Sequence, residues 1–263
     1  RQQEVTQYSF DAKTAARKTS DRQDATTPAF AILYKTSDQV SVYANYIEGL
    51  SAGSTATADA ANAGAVFATY QTKQYELGTK YQVGSWLNTL ALYQIEKPEA
   101  YQDSTSLEVK DDAETRSRGI EFSTAGQLTE DLSLMANLAY IDAEYVKSGT
   151  ASQVGNTVIG TPDFTAGLGL DYKIPVVDGM SVNARASYVS EQYLNTDNSL
   201  ELPDYTILDW GAKYATKIGG VNTTFRANVN NLTDEKYWSG VFGSNYAILG
   251  AGRTYKLGVT FDF

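Results

Sequence analysis

Residues Arg253 to Phe263 read RTYKLGVTFDF, with Tyr255, Leu257, Val259, Phe261 and Phe263 on one parity and Thr254, Lys256, Gly258, Thr260 and Asp262 on the other. Successive side chains of a β-strand point to opposite faces, so this stretch has one apolar face, one polar face and a terminal aromatic. In a soluble domain such an edge invites aggregation, whereas a barrel strand that closes a sheet in lipid presents this pattern as a matter of course. The stretch predicts an all-β protein, an antiparallel transmembrane barrel of the outer membrane.

The same alternation recurs along the chain. About twelve segments carry it, at 2–15, 27–36, 40–49, 73–82, 86–96, 115–127, 131–146, 162–174, 180–194, 204–216, 221–233 and 253–263, each near or above the ~9 to 11 residues that cross a bilayer as a tilted strand. Leu132, Leu134, Ala136, Leu138 and Tyr140 alternate with Ser133, Met135, Asn137 and Ala139, so one face suits lipid and the other water. The segment 86–96 is apolar on both parities, and its register stays open. Short turns at 36–39, 83–85, 128–130, 175–179 and 217–220 alternate with longer loops at about 16–26, 50–72, 97–114, 147–161, 195–203 and 234–252. Short periplasmic turns and long extracellular loops are the rule for such barrels, which assigns the two sides. Outward aromatics then form two levels: Tyr34, Tyr81, Trp86, Tyr172, Phe261 and Phe263 at the periplasmic ends, and Tyr46, Tyr140, Tyr188 and Tyr255 at the outer ends.

Composition removes rival classes. The 263 residues contain no His and no Cys, which excludes disulfides, thiolate and imidazole metal sites and any nucleophile that depends on a His base. A net charge of -10 and a sequence pI near 4.6 oppose a nucleic-acid partner, since phosphate contacts need clustered Lys and Arg. No stretch approaches the ~18 to 20 apolar residues of a transmembrane helix. Tyr dominates the aromatics, 19 against 9 Phe and 3 Trp, which suits a membrane interface.

Seven pieces in order resemble the C-terminal barrel of TonB-dependent ferric siderophore receptors: YANYIEGLSAG (Tyr43 to Gly53), KQYELGTKY (Lys73 to Tyr81), RSRGIEFSTAGQL (Arg116 to Leu128), SLMANLAYIDAEY (Ser133 to Tyr145), LPDYTILDWGAKY (Leu202 to Tyr214), NVNNLTDEKYW (Asn228 to Trp238) and GAGRTYKLGVTFDF (Gly250 to Phe263). Among them the resemblance leans to hydroxamate receptors of the ferrichrome type. It implies a barrel of about 22 strands with an N-terminal plug in its lumen, no covalent chemistry, a ferric siderophore as ligand rather than a resident cofactor, and energy from the TonB–ExbB–ExbD complex acting on the plug. The chain starts at Arg1 with neither Met nor a signal-like segment, and shows no plug. The expectation is that residues 1–263 are the C-terminal portion of a receptor barrel; a self-standing twelve-strand barrel and a passive porin are the alternatives.

By position within that resemblance, Phe242 stands where an extracellular-loop aromatic contacts the chelate, and Tyr246 and Trp238 share its loop. The alternative is that these rings pack loop against loop or join the upper girdle. The loop 50–72, rich in small residues, is read as a flexible connection or a mobile lid. Asp103, Asp111, Asp112 and Glu114 form an acidic group that suits either solvent or a hard divalent cation. Inward charges Glu76, Lys80, Glu121, Arg185, Lys213, Arg226 and Lys256 are expected to pair with one another and with the plug in a wet lumen.

Overall fold

The computed structural model describes residues 2–10, 14, 17–103 and 105–263. Of the first expected strand, residues 11–13 and 15 lie outside the described residues. Strand β1 (Gln2–Phe10) pairs antiparallel with β2 (Arg17–Thr26), a separate two-stranded sheet. The segment 16–26 is therefore hairpin strand from Arg17 onward, not loop. Its sequence RKTSDRQDAT has no apolar face to alternate, so period-two reading passes over it.

Then come β3 (Ala29–Lys35), β4 (Val40–Ser51), β5 (Tyr70–Val83), β6 (Trp86–Gln102), β7 (Val109–Gln127), β8 (Leu132–Lys147), β9 (Phe164–Lys173) and β10 (Met180–Val189). Two small strands follow in a loop, β11 (Gln192–Tyr193) and β12 (Glu201–Leu202), before β13 (Tyr205–Ile218) and β14 (Val221–Asn230). The hairpin β15 (Trp238–Val241) and β16 (Ala247–Leu249) precedes the final β17 (Thr254–Asp262). The long strands join in one eleven-stranded antiparallel sheet, ordered β17-β14-β13-β10-β9-β8-β7-β6-β5-β4-β3. Each neighbour is the next membrane strand in sequence, an up-and-down meander. Among the described residues the sole helical piece is a single 3-10 turn, Ala151–Gln153.

The five short turns lie where the sequence puts them. Gly219 and Gly220 between the paired residues Ile218 and Val221 have φ of 58° and 87°, and a two-residue hairpin with both central residues at positive φ is the turn whose twist matches the strands. On the other side the expected loop 97–114 shrinks, because β6 runs to Gln102 and β7 starts at Val109. At 17 and 19 residues these strands exceed a membrane crossing and carry the sheet outward into polar sequence.

Pairing settles the open register of 86–96. Leu87 faces Ala125 and Gln82, while Leu90 faces Phe122 and Thr79. Thus Leu87, Thr89, Ala91 and Tyr93 share the inner face with Glu121, and Trp86, Leu90 and Leu92 share the lipid face. The upper girdle is a cross-strand array, with Phe30, Tyr46 and Tyr75 on three neighbouring strands at ring-centroid distances of 6.5 and 5.0 Å. Fifty-three and 69% exposure of Phe261 and Tyr255 marks a face whose solvent is lipid.

Candidate ligand-binding site

The extracellular ends of β8 to β17 are built as one braced platform. Asn198, at φ 56°, accepts the amide N–H of Thr157 at 2.7 Å and donates to its carbonyl at 3.0 Å, copying a strand pair with one side chain. Gln153 Nε2 donates to Thr196 Oγ1 at 2.9 Å and Asn156 Nδ2 to the Thr196 carbonyl at 2.8 Å. The amides of Gly160 and Asn245 donate to the carbonyls of Tyr193 and Leu194, both at 2.9 Å. Three consecutive loops, after β8, β10 and β14, are thereby joined.

The loop that carries the expected aromatics is closed at its base by the NNLTDEKY segment. Asn231 is 2% exposed; its Nδ2 donates to the carbonyls of Glu235 and Ala251 at 2.9 and 3.1 Å, and its Oδ1 accepts the Glu235 amide at 2.8 Å. Asp234 Oδ1 accepts the Arg253 amide at 2.9 Å. That bond and the neighbouring Lys236 ammonium hold the Asp234 carboxyl below the usual aspartate range. Tyr237 packs on Tyr205 at 4.4 Å and lies over Gly250, where a Cβ would come within 2.3 Å of its ring.

Above this base stands the hairpin β15–β16. Phe242 opens its turn, donating its amide to the Tyr246 carbonyl at 2.7 Å. Phe242 is 77% exposed and Tyr246 70%, while Trp238 lower on the hairpin is 40% exposed. The hairpin brings Phe242 and Tyr246 together at one tip and leaves Trp238 at its foot. Neither tip ring is packed away, so both are free to meet something in the extracellular vestibule.

Other expected features resolve differently. The loop 52–69 is folded onto the tip of β6–β7: Ala56, Ala60 and Val109 make a small buried cluster, and Asn62 donates to the Val109 carbonyl and accepts its amide, both at 2.9 Å. Small side chains allow that close approach, so this segment is a packed Ω-like loop and not a loose lid. The acidic group is split. Asp103 is held by Lys110 at 2.8 Å and by the amides of Thr105 and Ser106, which keep its carboxyl far below the ordinary value, and Glu114 is held by Lys147 at 2.6 Å. Among the described residues no group of carboxylates is placed to hold a metal ion.

The inward charges do not pair with one another among the described residues. Glu76 accepts the Tyr43 hydroxyl at 2.6 Å and Lys80 lies 5.4 Å from the Tyr43 ring centroid. Arg226 bonds the Thr260 hydroxyl at 2.8 Å. Arg185 faces Asp209 directly across β10 and β13, and Asp209 accepts the Asn231 amide at 2.9 Å. Asn tolerates the left-handed backbone, and among the described residues five non-Gly positions adopt it, three of them Asn198, Asn231 and Asn245; residue type is the one signal of these braces in the sequence, and it does not name their partners.

A lipid-faced antiparallel sheet with short turns on one side and braced, exposed loops on the other defines a multi-pass β-barrel of the outer membrane. The chain belongs to the family described as TonB dependent receptor-like, beta-barrel, whose model matches residues 2–232. It is 33% identical over 269 residues, 100% of the chain, to the ferrichrome receptor FcuA of Yersinia enterocolitica. It is 30% identical over 94% of the chain to the metal-pseudopaline receptor CntO of Pseudomonas aeruginosa. Among solved structures, BauA, the ferric preacinetobactin receptor of Acinetobacter baumannii, matches at a TM-score of 0.81 and 40% identity, covering 93% of this chain and 37% of that one. The chain spans about a third of the length of the curated relatives it matches, 36% and 35% for FcuA and CntO.

Proposed function

We propose that this barrel serves a receptor and transporter that takes up ferric siderophores across the outer membrane, energised through TonB–ExbB–ExbD by way of a plug in the lumen. The observation that carries the reading is the match to FcuA along the whole chain, with relatives named as receptors for metal chelates of several kinds. The chemistry suits it. A ferric chelate arrives with its metal already ligated, so a protein without His or Cys needs only surface area, shape and a few polar groups. Phe242 and Tyr246 supply exposed aromatic area on a braced hairpin, and Glu76 and Glu121 on the inner wall offer carboxylates to a plug. The reading is of binding and transport without covalent catalysis.

Within that class we assign a hydroxamate chelate of the ferrichrome type, on the similarity to FcuA and the position of Phe242. The likeness to the ferric preacinetobactin receptor favours that chelate as the second reading. Competition of unlabelled ferric preacinetobactin against radiolabelled ferrichrome on intact cells separates the two. Uptake that stops when the proton-motive force is collapsed supports the energised receptor; uptake that continues unchanged identifies a passive porin.

A further inference from the structure

The three loops that carry and brace the exposed rings have a one-sided charge pattern. Residues 148–163, 190–204 and 237–252 contain Asp163, Glu191, Asp197, Glu201 and Asp204 and no Lys or Arg. All of these carboxylates are exposed, and none belongs to an ion pair among the described residues. At the foot of the hairpin Lys236 and Arg253 are matched in number by Asp234 and Glu235, with Lys236 on Asp234 at 3.0 Å. Lysines on the neighbouring strand ends are also taken up: Lys97 by Glu99 at 2.9 Å, Lys110 by Asp103 at 2.8 Å and Lys147 by Glu114 at 2.6 Å. The platform therefore keeps a net negative field. Burial, and then the Asp142 and Glu191 carboxylates, push the Asp163 carboxyl above the ordinary aspartate value, so the field acts on its own members.

The negative charge adjoins the rings. Asn245, beside Tyr246 at the hairpin tip, donates its amide to the Leu194 carbonyl at 2.9 Å. Glu201 is the cross-strand partner of Tyr193, the residue before Leu194. Asp197 lies in the turn just after Leu194, closed by the Asn198 amide on the Asn195 carbonyl at 3.1 Å. Both carboxylates flank the point where the hairpin rests on the platform, and charge is felt over about 8 Å at physiological salt. Exposed aromatic faces beside unpaired carboxylates attract cations twice over, through the ring quadrupole and through charge. We propose that this end of the receptor selects ferric chelates by net charge and favours a trishydroxamate carrying a free ammonium group. Its apolar body meets Phe242 and Tyr246, and the ammonium lies toward Asp197 and Glu201. Three hydroxamates cancel the charge of iron(III), so the ammonium leaves that complex cationic; three catecholates leave a strongly anionic complex, which the same field repels. The inference rests on the uptake reading and its hydroxamate assignment, and adds to them the charge of the chelate.

The probes are the radiolabelled iron(III) complexes of a linear trishydroxamate with a terminal amine and of its N-acetyl derivative, which differ by that one charge. On intact cells carrying the complete receptor, the amine form should bind roughly three- to tenfold more tightly, the scale of one exposed ion pair with one exposed cation–π contact. That advantage should shrink as sodium chloride is raised. Asp197→Asn combined with Glu201→Gln, which preserves side-chain size, should bring the two affinities together. Equal binding of the two forms by the unaltered receptor, or an advantage undiminished in the double variant, overturns the charge selection and leaves the uptake reading standing. Binding of neither form overturns it together with the hydroxamate assignment.

Discussion

Asn231 closes the base of the last long loop with three side-chain hydrogen bonds, whereas Phe242, at the loop's tip, touches almost nothing. The two substitutions should therefore separate positioning from contact. Asn231→Ala strips partners from a buried site and should cost about 1 to 3 kcal/mol of local stability, read as faster proteolysis between β14 and β17. Phe242→Ala should leave surface abundance intact and weaken whole-cell siderophore binding, normalised to receptor abundance, by about 1 to 3 kcal/mol, the range for losing an aromatic anchor. Unchanged normalised affinity would remove Phe242 from the site. Acid should act on the same base. Asp234 has its carboxyl lowered by the Arg253 amide and Lys236, so its contribution is present above the ordinary aspartate value and is lost as pH falls through the lowered one. Limited proteolysis of this loop should be flat across neutral and mildly acidic pH and should rise only below the unperturbed value of 3.8. That Trp238, Phe242 and Tyr246 share one loop behind the NLTDEKYW run is legible in the sequence. The role of Asn231 is not, because its partners Glu235 and Ala251 meet only once the hairpin between them has folded.

Strands show which physical signals survive in one dimension. Where a strand divides lipid from water, as in β8 or β17, alternation marks it to within a residue or two. Where it leaves the bilayer, as in the outer parts of β6 and β7, or lies outside the large sheet, as β2 does, both faces are polar and the period vanishes, so the sequence reads as loop where hairpins continue. Register within the membrane is enforced by close packing as well as polarity. The Tyr43 ring lies on its cross-strand partner Gly78, where a Cβ would sit 2.4 Å from ring atoms, and Tyr93 covers Gly119 in the same way. Gly78→Val should overpack this contact by about 1 to 3 kcal/mol and lower the yield of folded barrel, with recovery when Tyr43→Ala is added. No recovery would show that the ring is not the obstacle. Turn and loop lengths also set the sidedness. A cysteine placed at Ser199 or Ser244 should react with an impermeant label on intact cells, and one at Ser37 only after the outer membrane is opened; labelling of Ser37 on intact cells would invert the topology.

At the scale of the molecule, strand direction limits how the sheet can close. β3 runs into the short turn 36–39 and β17 runs down from the extracellular loop that precedes it, so the two edge strands point the same way. An antiparallel meander of eleven strands cannot close on itself, because joining β3 to β17 would create a parallel pair; it needs an odd number of further strands between them. Single-chain bacterial barrels have even strand counts, and eleven plus an odd number meets that rule. Open edges in hydrocarbon leave backbone N–H and C=O groups unsatisfied at several kcal/mol each, of the order found for a whole domain's stability when summed along two strands. Residues 1–263 expressed by themselves should thus fail to give a compact, heat-modifiable barrel and should support no iron uptake, whereas supplying the missing strands should restore the compact form. A heat-modifiable species from residues 1–263 alone would require one strand of the β1–β2 pair to enter the membrane between β3 and β17, and would favour the twelve-strand alternative. Spectroscopic strand content without heat modifiability is the outcome the edge geometry demands, since the meander can pair internally while its two outer strands stay open.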